Sequence, residues 1–176
     1  MTDFIDIKAL IQQNRAGNRI GLPCFCTANE QVIRTLLGYA ARHELPVVLE
    51  ATCNQVNQEG GYTGMTPAGF ITWVRQLADT AGLAPERIIP GGDHLGPNPW
   101  RSEPAAIAME KARTLVRQYV EAGFRKIHLD ASMRCADDEV LSFAAIARRA
   151  AELCAVAERH APAPEKLYYI MGTEVP

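Results

Sequence analysis

The feature that most constrains the fold is an alternation of strand and helix at an interval of about 40 residues. Short apolar runs suited to buried strands begin near Val47, Ile88, Ile127 and Leu167. Each interval between them contains one segment with the apolar spacing of a helix. Such a pattern predicts parallel strands joined by right-handed crossovers, which is an α/β protein. A further run over 19–27 predicts one earlier strand, so we expect five strands in all.

The segments between these strands carry the signals of helix boundaries. Residues that favour the first turn of a helix precede four apolar-periodic segments: Asn29, Thr66 with Pro67, Ser102 with Pro104, and Asp137 with Asp138. Gly82 and Gly123 lie where two of these helices should end. We expect the last helix to be long, with apolar positions from Val140 to Ala157.

Two architectures share this alternation, an open doubly wound sheet and a (β/α)₈ barrel. No G-x-G-x-x-G or G-x-x-x-x-G-K follows the first strand, which argues against a nucleotide-binding doubly wound fold. Polar and acidic residues instead gather where the strands should end: Cys26-Thr27, Glu50-Ala51-Thr52, Asp93-His94, Asp130-Ala131-Ser132 and Thr173-Glu174. Barrel enzymes assemble their sites from such positions. We therefore predict a TIM barrel.

The length of the chain limits how much of a barrel it can form. Five strands cannot close an eight-stranded barrel, and such folds usually need about 250 residues. The chain has 176 residues. We therefore expect residues 1–176 to be the N-terminal part of a single TIM-barrel domain, ending at the fifth strand of a larger protein.

Composition excludes several classes of function. The net charge of −2 provides no basic field for nucleic acid. No apolar run approaches the roughly 20 residues that span a bilayer. The N-terminus carries acids where a secretory signal carries bases, and the five scattered cysteines form no C-x-x-C pair. We expect a cytoplasmic protein with reduced cysteines and with neither nucleic acid nor membrane as a partner.

The stretch RIIPGGDHLGPNP, residues 87–99, is the leading candidate for a functional site. We expect Ile88 and Ile89 to lie in a buried strand and the Pro-Gly-Gly run that follows to stop its regular pairing. Asp93 and His94 would then lie side by side just past the strand. A carboxylate and an imidazole at such a position can bind a metal and move a proton.

The strand ends together offer a candidate metal site. Asp93, His94, Asp130 and Glu174 are oxygen and imidazole ligands suited to zinc or a similar divalent ion. Such an ion can polarise a sugar carbonyl or hydroxyl while a carboxylate moves the proton. His128 shares a face of its strand with Asp130, and we interpret it as a hydrogen-bonded core histidine rather than a ligand.

Four further residues near the strand ends are predicted to bind substrate: Glu50, Asn54, Asn98 and Ser132. Two readings remain open for Glu50, an interior carboxylate paired with a base or a neighbour of the metal site. Two also remain open for the amide-rich segment from Cys53 to Met65, a binding loop over a strand end or a flexible surface loop.

Four blocks of the sequence resemble one family. These are EATCNQVNQEGGYTGMTP, GGDHLGPNPW, KIHLDASM with the CADD that follows it, and MGTEVP. They resemble the GatZ/KbaZ (also AgaZ) family, the Z subunits of class II D-tagatose-1,6-bisphosphate aldolase, through essentially the whole chain. The resemblance implies a TIM barrel like that of class II ketose-bisphosphate aldolases, and a protein much longer than this chain.

The resemblance also suggests roles for single residues. It implies that Asp93 transfers the proton and that His94 binds the metal, since class II aldolases carry such a pair after the third strand. Asp130 is similar to an acidic position near their metal, and Glu174 resembles a glutamate of their fifth strand. Their two remaining zinc histidines come from later strands, which this chain does not contain.

Three hypotheses of function follow. Family precedent favours a non-catalytic accessory subunit that supports the activity and stability of a catalytic Y-type subunit in galactitol and N-acetylgalactosamine (tagatose 6-phosphate) catabolism. The retained Asp93, His94 and Asp130 favour a metal-dependent aldolase or 4-epimerase of a phosphorylated ketose. The third hypothesis is a sugar-phosphate binding module without turnover. We expect the first; a kinase is disfavoured because no phosphate-binding glycine loop with a lysine is present.

Overall fold

The five strands form one parallel sheet in a computed structural model that describes residues 7–171. The strands are β1 Cys24–Cys26, β2 Val47–Thr52, β3 Ile88–Leu95, β4 Lys126–Leu129 and β5 Tyr168–Met171. The helices are α1 Ile7–Arg15, α2 Glu30–His43, α3 Pro67–Ala81, α4 Ala105–Glu121 and α5 Phe143–His160. Short 3₁₀ turns occupy Gly61–Thr63, Pro85–Arg87, Asn98–Trp100 and Pro164–Lys166.

The order of the strands decides between the two predicted architectures. Neighbours in the sheet follow the chain, β1-β2-β3-β4-β5, and every pair is parallel. A doubly wound sheet reverses direction at a switch point, whereas a barrel adds each strand on the same side. The described residues therefore form an α/β unit consistent with part of a TIM barrel, as predicted.

The predicted helix caps at Asn29 and Thr66 are confirmed. The side chain of Asn29 accepts a hydrogen bond from the backbone N–H of Val32 at 3.2 Å, and Thr66 accepts one from Gly69 at 3.2 Å. Gly82 ends α3 with φ of 72°, a left-handed conformation that costs glycine little. These boundaries are set by contacts within one turn of the chain, which is why the sequence predicts them.

The first strand is shorter than predicted. The apolar run over 19–27 forms a strand only at Cys24–Cys26. Cys24 pairs with Val48, and β2 begins at Val47. By this register Pro23 lies opposite Val47 but has no N–H to donate, and the residues before it lie beyond the start of β2.

The start of the last helix also differs from the prediction. Helix α5 begins at Phe143 with Ser142 as its cap, and Val140 lies before it with 88% of its surface exposed. Asp137 accepts a hydrogen bond from the first N–H of α4, that of Ala105, at 2.7 Å. An acid expected at the start of α5 thus caps the preceding helix instead, through a contact that only the tertiary structure creates.

The sheet separates an apolar face from a polar one. Side chains alternate across a strand, so Leu49, Ala51 and Ile127 pack against the helices and are buried. Tyr119 of α4 is fully buried on that side and donates a hydrogen bond to the carbonyl of Val56 at 2.9 Å. The opposite face, which becomes the interior in a barrel, carries the charged residues described below.

Candidate metal centre

Three side chains on the polar face of the sheet converge at the end of β3. The carboxylate of Asp93 lies 2.9 Å from Nδ1 of His128 and 3.2 Å from Nδ1 of His94. The two imidazole rings are 4.3 Å apart between centroids. One ligand atom from each of the three residues lies within 4.8 Å of the others. Two neighbouring strands, β3 and β4, therefore build one compact group of donors.

An irregular backbone lets two consecutive residues serve the same site. In a regular strand Asp93 and His94 would point to opposite faces. His94 instead has φ of 49°, and the pairing of β3 with β4 shifts register between Gly92 and Leu95. This bulge turns both side chains toward His128. A non-glycine residue in the left-handed region is uncommon, and such strain is concentrated at functional sites.

The Pro-Gly-Gly run does not stop β3, contrary to the prediction. Pairing with β2 continues from Ile88 to Asp93, so the acid lies within the strand rather than past it. The two glycines instead make room for neighbours. A Cβ on Gly91 would lie 2.8 Å from Cγ of Glu50, and a Cβ on Gly92 would lie 2.8 Å from Cδ1 of Tyr119.

Hydrogen bonds keep Asp93 ionised. The hydrogen bond with His128 lowers the pKa of Asp93 well below its usual range and outweighs the opposing effect of burial. The nearby thiol of Cys26, at the end of β1, lowers the pKa of Asp93 further. Burial first, and the charge of Asp93 second, raise the pKa of Cys26 to about 12. The group is thus a carboxylate beside two imidazoles and a neutral thiol.

A buried cysteine holds the bulge of β3 in place through a hydrogen bond. Cys53 follows β2, and its thiol donates a hydrogen bond to the carbonyl oxygen of His94 at 2.9 Å. Burial raises the pKa of Cys53 to about 12, so this thiol keeps its proton. The bond ties the residue after β2 to the left-handed residue of β3.

The donor set fits a divalent ion such as zinc. Imidazole nitrogens and a carboxylate oxygen are common zinc ligands, and a catalytic zinc takes three protein ligands with an open fourth position. Asp93, His94 and His128 are partly or fully buried and come from two adjacent strands of the sheet. The residues therefore suit such an ion in number, type and spacing.

Asp130 lies beside this group without belonging to it. It is buried directly after β4, its carboxylate accepts a hydrogen bond from the N–H of Ser132 at 2.8 Å, and its own N–H donates to Leu95 at 3.0 Å. Among the residues described, the clustered donors do not include it. The metal role of Asp130 stays a prediction, and Glu174 lies outside the described residues.

Of the two readings of Glu50, the structure supports pairing with a base. Glu50 is 5% exposed on the polar face of the sheet, and its carboxylate forms an ion pair with Lys126 of β4. The pair crosses over Gly91 of β3, which leaves the space that the carboxylate fills. The partner lysine is a residue that sequence reasoning did not single out.

The segment from Cys53 to Met65 is an ordered loop. Asn57 is buried, donates to the carbonyl of Cys53 at 2.9 Å, and accepts from the N–H groups of Glu59 and Gly61. Trp100 ties the loop to the chain after β3 by donating to Glu59 at 3.1 Å. These contacts favour an ordered loop over the flexible surface loop that the sequence also allowed.

Two predicted substrate-binding residues line one cavity. Asn54, from the loop after β2, and Asn98, from the turn after β3, border a cavity of about 460 Å³. Its other lining residues are Pro99, Arg101, Ser102 and Met133. Ser132 and Glu50 do not line this cavity, and substrate binding by all four residues stays a prediction.

His128 is the member of the site that sequence reasoning set aside. Interpreted from the sequence as a core histidine, it contacts the carboxylate of Asp93 through its ring. The available signal was the alternation in KIHLD, which puts Lys126, His128 and Asp130 on one face. That pattern gives the face but not the neighbour across the sheet, so it could not identify Asp93 as the partner.

The chain is similar, over nearly its whole length, to proteins named as subunits of one aldolase. The model of the D-tagatose-1,6-bisphosphate aldolase subunit GatZ/KbaZ-like family matches residues 7–176. D-tagatose-1,6-bisphosphate aldolase subunit GatZ of Klebsiella pneumoniae subsp. pneumoniae is 52% identical over 173 residues, and the subunit of the same name from Escherichia coli O1:K1 is 53% identical over 173 residues. Both alignments cover 97% of this chain, which spans 41% of the length of either relative.

A solved structure shares the fold. The crystal structure of a probable tagatose 6 phosphate kinase from Sinorhizobium meliloti 1021 matches with a TM-score of 0.83 and 49% identity. The match covers 88% of this chain and 39% of that one. In the described part of this chain, no helix has the length and apolar character needed to cross a membrane.

Proposed function

Because the chain belongs to the D-tagatose-1,6-bisphosphate aldolase subunit GatZ/KbaZ-like family, we propose that it serves such an aldolase as an accessory subunit. In this role it supports the activity and stability of a catalytic Y-type subunit in the cytoplasm, in galactitol and N-acetylgalactosamine catabolism. The observation that carries the proposal is the match over residues 7–176, with relatives whose names describe them as subunits.

The Asp93–His94–His128 group favours a second candidate, a metal-dependent aldolase or 4-epimerase of a phosphorylated ketose in its own right. A bound zinc or similar ion would supply Lewis-acid polarisation of the sugar carbonyl. If the two histidines hold the ion, the ionised carboxylate of Asp93 would be the group that accepts the proton of the C4 hydroxyl as the C3–C4 bond breaks. The products of that cleavage are an aldehyde and an enediolate.

After the aldehyde has rotated, C3 of the enediolate could attack its carbonyl carbon from the other face, which re-forms the C3–C4 bond with C4 inverted, and Asp93 would return its proton to the new C4 alkoxide. The same residues could thus serve cleavage or epimerisation. The strained backbone at His94 supports this candidate, since a scaffold gains nothing from holding two donors on one face.

Kinase activity, which the name of the Sinorhizobium meliloti protein suggests for that protein, is not carried over to this chain. A kinase binds the phosphates of its nucleotide through a dedicated loop, and this sequence contains no G-x-x-x-x-G-K.

The test uses the protein expressed from its complete gene and purified alone, with metal content and turnover as the readouts. Tagatose 1,6-bisphosphate and fructose 6-phosphate are supplied separately, with and without a Y-type subunit. Asp93→Asn is compared with Asp79→Asn, which makes the same charge change at an exposed position of α3, away from the site.

The two candidates predict different results. Bound zinc and turnover that Asp93→Asn abolishes and Asp79→Asn leaves unchanged would establish a catalytic protein. No turnover alone, together with higher activity and thermal stability of an added Y-type subunit, would establish the accessory role. Absence of both effects would refute the aldolase assignment.

A further inference from the structure

The cavity lined by Asn54 and Asn98 is also lined by one positively charged side chain, that of Arg101. Arg101 and Ser102 follow the 3₁₀ turn after β3 and border the same space of about 460 Å³. Small-molecule sites usually measure about 300–1,000 Å³, so a sugar phosphate fits such a space. We propose that Arg101 and Ser102, together with Asn54 and Asn98, form a phosphate-binding subsite for the phosphorylated ketose, an inference that rests on the second candidate function, a metal-dependent aldolase or 4-epimerase.

The charges around the cavity leave Arg101 available for an anion. Glu103 forms an ion pair with Lys111 at 2.6 Å, and Glu59 accepts from Trp100 at 3.1 Å and lies 3.6 Å from the same lysine. Within residues 7–171, Arg101 takes part in no ion pair. The acids closest along the chain are therefore engaged elsewhere, and the positive charge of Arg101 borders the cavity.

The nearby helix end does not provide the anion site by itself. Helix α4 begins at Ala105, whose N–H already donates a hydrogen bond to the carboxylate of Asp137. Pro104, the residue before it, has no N–H to offer. A negative side chain at the N-terminus also opposes a second anion there. Affinity for phosphate in this cavity must therefore come from the side chain of Arg101.

The side chains match the chemistry of a phosphate monoester. A guanidinium can donate two parallel hydrogen bonds to phosphate oxygens, which makes arginine a preferred residue for such recognition. The hydroxyl of Ser102 and the amides of Asn54 and Asn98 add neutral donors. Among the described residues, no other charged side chain lines the cavity, so the contact with phosphate would depend on Arg101.

The subsite adjoins the candidate metal centre through the backbone. Asn54 directly follows Cys53, whose thiol bonds the carbonyl of His94. Asn98 lies four residues beyond His94, in the turn that leaves β3. The wall at Asn98 is therefore continuous with the strand that carries Asp93 and His94, and the wall at Asn54 is joined to that strand by the hydrogen bond of Cys53. A ketose bound at the candidate metal centre by its carbonyl can direct a phosphate along the same edge of the sheet.

The test is an equilibrium binding measurement by isothermal titration calorimetry on the protein expressed from its complete gene, after treatment with EDTA. The probes are fructose 6-phosphate, fructose and inorganic phosphate. Arg101→Gln is compared with Arg117→Gln, which removes the same charge from an exposed position of α4. Circular dichroism confirms that both variants are folded.

We expect Arg101→Gln to weaken binding of fructose 6-phosphate by about tenfold or more, the usual effect of losing a charge-assisted pair of hydrogen bonds. Arg101→Gln should also weaken the binding of inorganic phosphate, whereas fructose should bind the two variants with equal affinity. Equal affinity of the two variants for fructose 6-phosphate would overturn the subsite. Because this readout needs neither turnover nor a Y-type subunit, the subsite and the proposed function can fail separately.

Discussion

The contact of Gly96 with the next strand gives the sharpest test of how the site is built. Gly96 follows β3, and a Cβ at this position would lie 1.7 Å from the backbone oxygen of Asp130. The neighbouring N–H of Asp130 donates to the carbonyl of Leu95 at 3.0 Å. The ends of β3 and β4 therefore approach so closely that only a hydrogen atom fits between them.

Substituting Gly96→Ala should force these two segments apart. A carbon and a carbonyl oxygen need about 3.3 Å, so the backbone must move by about 1.6 Å. The atom in the way is backbone, so it cannot rotate aside as a side chain would. Overpacking costs about 1–3 kcal/mol, and losing the adjacent hydrogen bond adds about 1 kcal/mol. We expect the free energy of unfolding to fall by about 3 kcal/mol.

The measurement is urea unfolding followed by circular dichroism, with Gly38→Ala as the matched control. Gly38 lies within α2, and a Cβ there would meet only Nη1 of Arg42 at 3.6 Å, an ordinary contact. Alanine in a helix is favoured over glycine by about 1 kcal/mol, so the control should be stabilised. If Gly96→Ala stays within about 1 kcal/mol of the parent protein, the argument from close approach is refuted.

Two ion pairs give further predictions. Lys126→Met should lower the free energy of unfolding by about 3 kcal/mol because Glu50 would remain buried and unpaired, and the double variant with Glu50→Gln should recover most of that loss in urea unfolding. Asp138 bonds Arg149 through both oxygens, at 2.7 and 2.9 Å, and this pair lowers its pKa to about 2. Because the pKa of Asp138 is lower in the folded protein than in the unfolded chain, its ionised form stabilises the fold above about pH 4, and this stabilisation is lost as the pH falls toward 2. Asp138→Asn should therefore cost about 1–2 kcal/mol at pH 7 and progressively less between pH 5 and pH 3, and a difference that does not change with pH would contradict this account.

The candidate metal centre shows how a strand can supply two adjacent donors to one site. Cys53, directly after β2, donates to the carbonyl of His94, and His128 of β4 bonds the carboxylate of Asp93. The two donors of β3 are thus held by residues from the strands on either side of it. Such supporting contacts fix the orientation of metal-binding side chains and usually raise the affinity for the metal. We infer that the bulge in β3 is held by its neighbours rather than by its own sequence.

The sequence by itself determined the elements and their order. The repeat of strand and helix required parallel strands, and the residues at helix starts, such as Asn29 and Thr66, act through bonds to N–H groups three residues away. Asp93 and His94 were recognisable because a carboxylate and an imidazole at the end of a buried strand are chemically conspicuous. These inferences depend on neighbours along the chain, which the sequence contains.

Only the tertiary structure decided which residues meet. His128 is 35 positions from Asp93, and Asp137 is 32 positions from the N–H that it caps. The register between β3 and β4 brings the first pair together, and the packing of the segment before α5 against α4 brings the second. Periodicity assigns a residue to a face of its strand, but a shift of one residue between strands changes every partner across the sheet. The register is set by the packing of all the strands and helices at once, so no local stretch of sequence encodes it.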